Sequence, residues 1–135
     1  MRITWDDSYS VGVEELDSQH RALFSRFDAL IRACDVGTGR EEAVRMLEFL
    51  NGYVMSHFKE EEELQRRYGY PDSERHRKEH MAFARELTSL MEQFREQGPT
   101  PRLVATTNQI VAVWLIDHIS RMDAEFARYL AIARR

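Results

Sequence analysis

Two short segments near the middle of the chain place metal-ligand residue types four positions apart. Residues 57–61 read HFKEE, with His57 and Glu61 at the ends, and residues 76–80 read HRKEH, with His76 and His80 at the ends. In an α-helix four residues advance by about 400°, so each pair lies within roughly 40° of one direction and about 6 Å apart along the axis. One such pair alone is commonly two surface polar residues on a helix face. Its meaning therefore depends on where the rest of the chain places it.

Apolar residues recur at helical spacing in four stretches, and no stretch alternates in the manner of a strand. The periodicity predicts helices at about residues 13–36, 40–68, 73–97 and 101–131, separated by the glycine- and proline-containing segments near 37–39, 69–71 and 98–99. Residues 1–12 form an N-terminal arm, in which serines and Gly12 disfavour regular structure and Trp5 and Tyr9 can pack on the body. Short connections predict an all-α fold: one domain over residues 1–135, an antiparallel up-down-up-down four-helix bundle.

Composition excludes several classes of protein. The chain has 135 residues and a net charge of −4 with no basic block, so we expect no nucleic-acid partner and no anionic-membrane partner. The longest apolar run, residues 110–116, is too short to span a membrane, and the start has no signal-peptide pattern. A lone cysteine, Cys34, fits a reducing compartment, and we expect a cytoplasmic protein.

Every histidine of the chain falls on an inward-facing stripe. The five are His20, His57, His76, His80 and His118. In an up-down-up-down bundle the starts of odd helices and the ends of even helices share one end, so all five converge there together with Glu61 and Asp123. Burying polar groups without partners costs several kcal/mol each. The pattern therefore predicts a metal centre rather than five separate core histidines.

His118 and Asp123 are the exception in spacing. Five residues advance a regular α-helix by about 500°, which leaves the two side chains roughly 140° apart. Both can face one site if the helix is locally widened. We predict a π-type distortion between Trp114 and Asp123, a feature frequent at functional sites.

The number of candidate ligands indicates two metal ions. Five nitrogens and two carboxylates exceed a tetrahedral zinc site, whereas imidazole with carboxylate suits iron, and carboxylates can bridge two ions. Two octahedral ions offer about twelve positions. Five histidines, two bridging carboxylates and one bridging solvent oxygen leave one position open, which suits a small diatomic ligand.

These residues resemble the hemerythrin family, and specifically its single-domain bacterial members. The matching positions cover nearly the whole chain: Trp5, VGV at 11–13, LDSQH at 16–20 with Leu23 and Phe24, HFKEE at 57–61, GYP at 69–71, His76, His80, WLIDHI at 114–119, and Asp123. All seven ligand positions match in order and spacing.

The resemblance implies a role for each candidate ligand. It implies that one iron is held by His76, His80 and His118, and the other by His20 and His57. It implies that Glu61 and Asp123 bridge the two irons, together with an oxo or hydroxo group. It also implies reversible O2 binding at the two-histidine iron, for oxygen storage, delivery or sensing.

Reversible O2 binding needs a dry pocket around the open position. We expect Leu115 and Leu23 or Phe24 to form its wall, with Ile119 and Phe58 as further candidates. The alternative is a di-iron redox enzyme or sensor, such as a peroxidase, an oxidase or a nitric-oxide-handling protein. None of the histidines has a glutamate three positions before it, unlike the paired Glu-x-x-His motifs of oxygen-activating di-iron proteins. We therefore expect a binding protein with no catalytic residues, whose ligands are O2 and secondarily NO or small anions. A labile iron buffer is disfavoured, because the ligands of a buffer would face solvent, whereas the candidate ligands of this chain lie on the inward-facing stripes. The sequence identifies no protein partner.

Overall fold

The computed structural model describes residues 4–135, and within that range the structure is helical with no strand. Helix α1 spans Glu14–Asp35, α2 spans Arg40–Arg67, α3 spans Ser73–Gln97, and α4 spans Pro101–Asp117. A π-helical turn at His118–Asp123 joins α4 to α5, Ala124–Ala133, so that these three segments form one continuous fourth helix. The prediction of an all-α four-helix bundle is confirmed.

The bundle closes because each helix packs against two others. Helix α2 lies against α1 and α3, and α4 also lies against α1 and α3. The connections at residues 36–39, 68–72 and 98–100 are short, which makes sequential helices antiparallel neighbours. Each of these turns contains a glycine with a positive φ, namely Gly37 at +95°, Gly69 at +64° and Gly98 at +73°. Helix α4 then begins with Pro101, after the Thr100 hydroxyl accepts a hydrogen bond from the Leu103 N–H.

The core is made of two apolar clusters on the two sides of the histidine level. The larger cluster fills most of the bundle with residues such as Phe27, Phe83 and Phe94, each fully buried. The smaller cluster contains Leu16, before His20, and Phe126, after Asp123, with other residues of the same end. Each such burial contributes about 1.5–3 kcal/mol. Apolar packing on both sides thus removes the ligand residues from water.

The N-terminal arm is packed on α1. The buried carboxylate of Asp17 accepts hydrogen bonds from the Ser10 hydroxyl at 2.6 Å and the Val11 N–H at 2.8 Å. The rings of Trp5 and Tyr9 lie 5.6 and 5.4 Å from the Phe24 ring. Contrary to the expectation of no regular structure, a short 3₁₀ turn forms at Asp7–Tyr9. The Asp6 side chain accepts from the Ser8 N–H and offsets the unfavourable local sequence. Residues 1–3 of the predicted arm lie outside the described residues.

No helix within residues 4–135 has both the length and the apolar character that crossing a membrane requires. The Cys34 thiol is free and buried near the far end of α1.

Candidate metal centre

The structure brings all seven sequence-predicted ligand residues to one level of the bundle. They come from α1, α2, α3 and the π-helical turn, and each is at least 97% buried: His20, His57, Glu61, His76, His80, His118 and Asp123. They form two groups, each with its ligand atoms within 4.8 Å of one another. One group is Glu61, His76, His80, His118 and Asp123, and the other is His20, His57, Glu61 and Asp123. Glu61 and Asp123 therefore belong to both groups.

The π-helical turn aligns His118 with Asp123, and the predicted distortion is confirmed at His118–Asp123. A π-type turn pairs residues five apart along the backbone, so that both side chains can face one direction. His118 Nε2 lies 3.1 Å from Asp123 Oδ1. A regular α-helix through this segment would turn one of the two away from the site.

The ring nitrogens of the larger group have the spacing of ligands around one ion. His118 Nε2 lies 3.0 Å from His76 Nε2 and 3.2 Å from His80 Nε2. Two nitrogens each about 2.1 Å from an ion, and at right angles to one another, lie about 3 Å apart. His76 Nε2 also lies 2.7 Å from Glu61 Oε1 and 2.8 Å from Asp123 Oδ1. The carboxylates therefore complete the cluster at ligand distances.

Several of these atoms are buried without a partner of hydrogen-bond geometry. They include His20 Nε2 and both carboxylate oxygens of Glu61 and of Asp123. His20 Nε2 lies 2.8 Å from Asp123 Oδ2, so the two atoms are close but do not point at each other. Buried carboxylates left in this way are costly unless a cation meets them. Their convergence and the donor set both fit bound metal ions.

The chain's own charges at this level are balanced by protons. Burial lowers the pKa of His76, but Asp123 and Glu61 outweigh burial and raise it to about 9. Burial likewise opposes charge on His118, yet Asp123 and Glu79 raise its pKa to about 10. Burial raises the pKa of the Asp123 carboxyl, but His118 and the other histidines hold it well below its usual range. Burial lowers the pKa of His57 to about 4, since the Glu61 and Asp123 carboxylates offset burial only in part. Metal ions bound at this level would displace one proton each from His76 and His118.

Most of the five histidines have an outer partner on Nδ1, the nitrogen that faces away from the centre. The four contacts are His57 with Gln19 Oε1 at 2.5 Å, His76 with the Gln65 amide at 2.7 Å, His80 with Glu62 Oε2 at 2.9 Å, and His118 with Glu79 Oε2 at 3.7 Å. Such partners orient metal-binding histidines and select the tautomer. Sequence reasoning did not find them, and their only sequence signal is a polar residue near a helix face that already carries ligands.

The Gln65 amide is oriented with Nε2 toward His76, which leaves Oε1 buried without a partner. When His76 Nε2 binds a metal ion, its proton resides on Nδ1 and requires an acceptor. A rotation of the amide by about 180° provides Oε1 as that acceptor. The rotated amide therefore serves both the protonated imidazolium and the metal-bound ring, because each carries a proton on Nδ1.

Two aromatic rings cover the three-histidine side of the site. Phe58 stacks on His80 with ring centroids 3.8 Å apart, and Trp114 stacks on His118 at 4.3 Å. Phe83 stacks on the opposite face of Trp114 at 4.0 Å. These contacts fix the imidazole planes and exclude water from that side.

The residues predicted to wall the oxygen pocket are all part of the larger apolar cluster. Leu23, Phe24, Leu115 and Ile119 are each at least 98% buried, on α1 just beyond His20 and on the fourth helix beside His118. Phe24 also carries the arm, through its contacts with Trp5 and Tyr9.

Comparison with known proteins agrees with this geometry. Residues 11–130 match the family model described as the hemerythrin HHE cation binding domain. A hemerythrin-like protein of Naegleria gruberi is 32% identical over 123 residues, which cover 90% of this chain and 88% of the relative. The bacteriohemerythrin of Methylococcus capsulatus is 29% identical, with 90% of this chain and 91% of the relative covered. A crystal structure of wild-type hemerythrin superposes with a TM-score of 0.83 at 28% identity, covering 94% of this chain and 96% of that one. The chain therefore belongs to the hemerythrin family and is similar to its bacterial members.

Proposed function

We propose that this protein binds O2 reversibly at a non-haem di-iron centre, for oxygen storage, delivery or sensing. The observation that carries the proposal is the pair of buried ligand groups that share Glu61 and Asp123. Two shared carboxylates suit two ions held side by side, and the imidazole-rich donor set suits iron. Membership of the hemerythrin family supports the same reading.

In this proposal His76, His80 and His118 hold one iron, and His20 and His57 hold the other. Glu61 and Asp123, which belong to both groups, would hold both irons, together with an oxo or hydroxo group. When bound, the irons would supply the electrons for reversible oxygen binding, and the two-histidine side, which has fewer protein ligands, would leave room for O2. Five Nε2 atoms facing the centre, four of them with outer partners on Nδ1, support this assignment.

The chain's apolar residues exclude water from the ligand. We propose Leu23, Phe24, Leu115 and Ile119 as the pocket wall, because they are buried next to the ligand residues in sequence and belong to one apolar cluster. A dry wall prevents water and protons from displacing bound oxygen in a reduced form, which would leave oxidised iron behind.

The buried ionisable groups favour binding over catalysis. Within residues 4–135, Asp17 is the one buried histidine or carboxylate that lies outside the two ligand groups. Both of its oxygens accept hydrogen bonds from the N-terminal arm. A peroxidase or oxidase needs an acid or base positioned to cleave an oxygen–oxygen bond. We therefore place O2 first among the ligands, ahead of NO and small anions, and propose no catalytic residue. The free Cys34 thiol supports a reducing, cytoplasmic location.

The test is an iron count with absorption spectra of the isolated, anaerobically reduced, oxygenated and deoxygenated protein. We expect two irons per chain and bands that appear with oxygen and fade when it is removed. Bands that appear and never reverse would instead favour the redox enzyme or sensor. One zinc per chain without colour would contradict the di-iron centre.

A matched pair of variants tests the ligand assignment. Asp123→Asn removes a proposed bridge. Asp117→Asn alters an exposed aspartate of the same helix, whose carboxylate binds Arg121. We expect the first variant to lose iron and the second to retain two irons per chain.

A further inference from the structure

The outer partners of the histidines differ in charge between the two ligand groups. On the three-histidine side the Glu62 carboxylate contacts His80 Nδ1 at 2.9 Å, and the Glu79 carboxylate lies 3.7 Å from His118 Nδ1. On the two-histidine side the partner of His57 is the neutral amide of Gln19. His20 Nδ1 has no hydrogen-bond partner among the described residues, whereas His118 Nδ1, although also without a hydrogen bond, has the Glu79 carboxylate 3.7 Å away. Carboxylates thus support only the three-histidine side.

A carboxylate and an amide act differently on a metal-binding imidazole. An anionic acceptor draws the Nδ1 proton toward itself, which makes Nε2 a stronger donor to the metal and stabilises the more highly charged metal ion. A neutral amide oxygen orients the ring with a smaller effect on its basicity. The imidazoles of His80 and His118 are 98% buried, so water screens the ring end of each interaction poorly.

Of the two carboxylates, Glu62 makes the shorter contact with its histidine. Its contact with His80 has hydrogen-bond length, whereas 3.7 Å exceeds it. Arg121 also binds Glu79 at 2.9 Å and partly neutralises it. Glu62 is distinguished from its neighbours in the acidic run, because Glu60 binds Gln19 and Glu63 binds Arg66.

We propose that Glu62, assisted by Glu79, is a positioning residue for the three-histidine group. It makes this group the tighter metal site and lowers the reduction potential of the iron held there. The neutral Gln19 amide leaves the two-histidine group the weaker metal site. This inference rests on the proposed di-iron centre. It gives the two sides separate tasks: the three-histidine iron stays anchored, and the two-histidine iron remains free to gain and lose its ligand.

The test is an anaerobic Co²⁺ titration of the metal-free protein, followed by absorption and calorimetry. The wild-type chain should bind two ions in two resolved steps. Glu62→Gln keeps an oxygen acceptor for His80 Nδ1–H and removes the charge. We expect Glu62→Gln to lower the affinity for the first ion about tenfold, which is the lower end of the range found when such outer partners are mutated. The affinity for the second ion should be unchanged. Glu63→Gln on the same helix, whose carboxylate binds Arg66, should leave both steps unchanged.

An exchange variant tests the proposal in the opposite direction. Gln19 Nε2 donates to Glu60 Oε2, so Gln19→Glu combined with Glu60→Gln preserves that pair and the net charge while it moves a carboxylate onto His57. We expect the second Co²⁺ step to tighten about tenfold and the two steps to converge. In the iron-loaded protein, Glu62→Gln should raise the reduction potential of the three-histidine iron. The rise should be about 59 mV if the variant weakens the binding of ferric iron tenfold relative to ferrous iron.

Three results would overturn the inference alone, with two ions still bound by the wild-type chain. The first is an unchanged Co²⁺ affinity in both steps for Glu62→Gln, and the second is an equal loss of affinity in both steps for that variant. The third is an unchanged affinity of the second step in the exchange variant. A wild-type chain that binds fewer than two ions would overturn the proposed centre and this inference with it.

Discussion

Metal loading should release protons in a number that depends on pH in a defined way. The carboxylates raise the pKa of His76 to about 9 and of His118 to about 10. At pH 7.5 both imidazoles of the metal-free protein are therefore almost fully protonated, and two bound ions should expel about two protons from them. At pH 9.5, which lies between the two pKa values, His76 is mostly deprotonated and His118 mostly protonated, so the release from the two rings falls to about one.

The assay is an anaerobic titration with Zn²⁺ or Fe²⁺ in weak buffer, with a pH indicator, or calorimetry in buffers of different ionisation enthalpy. A bridging hydroxide formed from water adds a proton at both pH values, so the difference between them remains about one proton per chain. Equal release at pH 7.5 and 9.5 would refute the reasoning. Glu79→Gln provides a second check, because Glu79 helps to raise the pKa of His118, and its loss should reduce the release at pH 9.5 further.

Three further predictions follow from the same structure. The folded-state pKa values of His76 and His118 lie above the unfolded value of about 6.5. The contribution of these two groups to the stability of the metal-free protein should therefore be complete below about pH 6.5 and be lost as the pH rises toward 10. Thermal melts should show this fall in the metal-free protein and not in the metal-loaded protein. His118→Ala or Asp123→Ala should lose metal and most of the stability that the metal supplies, because ligands from four helices make metal binding part of folding, and a variant that keeps two ions would contradict the assignment. Leu115→Ala should destabilise the fold by about 2–5 kcal/mol, retain both irons and shorten the lifetime of the oxygenated form several-fold; an unchanged lifetime would remove Leu115 from the pocket.

Much of the fold was predictable because its signals are local. Four apolar stripes at helical spacing identify the helices, and short glycine- and proline-containing turns make them antiparallel. The burial of the five histidines and Glu61 follows from the same stripes, since a residue on an inward-facing stripe must end inside the bundle, whereas their role as metal ligands stays a prediction. Even the π-helical turn was predictable, because five residues separate His118 from Asp123 and a regular helix cannot turn both toward one site.

The surroundings of the ligands were less predictable because they depend on contacts between helices. Phe58 and Trp114 lie on apolar stripes like any core residue, and only the rotation of α2 and α4 in the packed bundle stacks them on His80 and His118. The same holds for Gln19 and Glu79, whose reach to a histidine depends on side-chain rotamers and on neighbouring helices.

The acidic run at residues 60–63 illustrates the division most clearly. Helical periodicity alone identifies Glu61 as the inward-facing member, because successive residues turn by about 100°. The other three glutamates look alike in the sequence, yet in the folded chain Glu60 binds Gln19 of α1, Glu62 binds His80 of α3, and Glu63 binds Arg66 of its own helix. The direction of a side chain is set by its own helix, whereas its partner is set by which other helix packs against that direction.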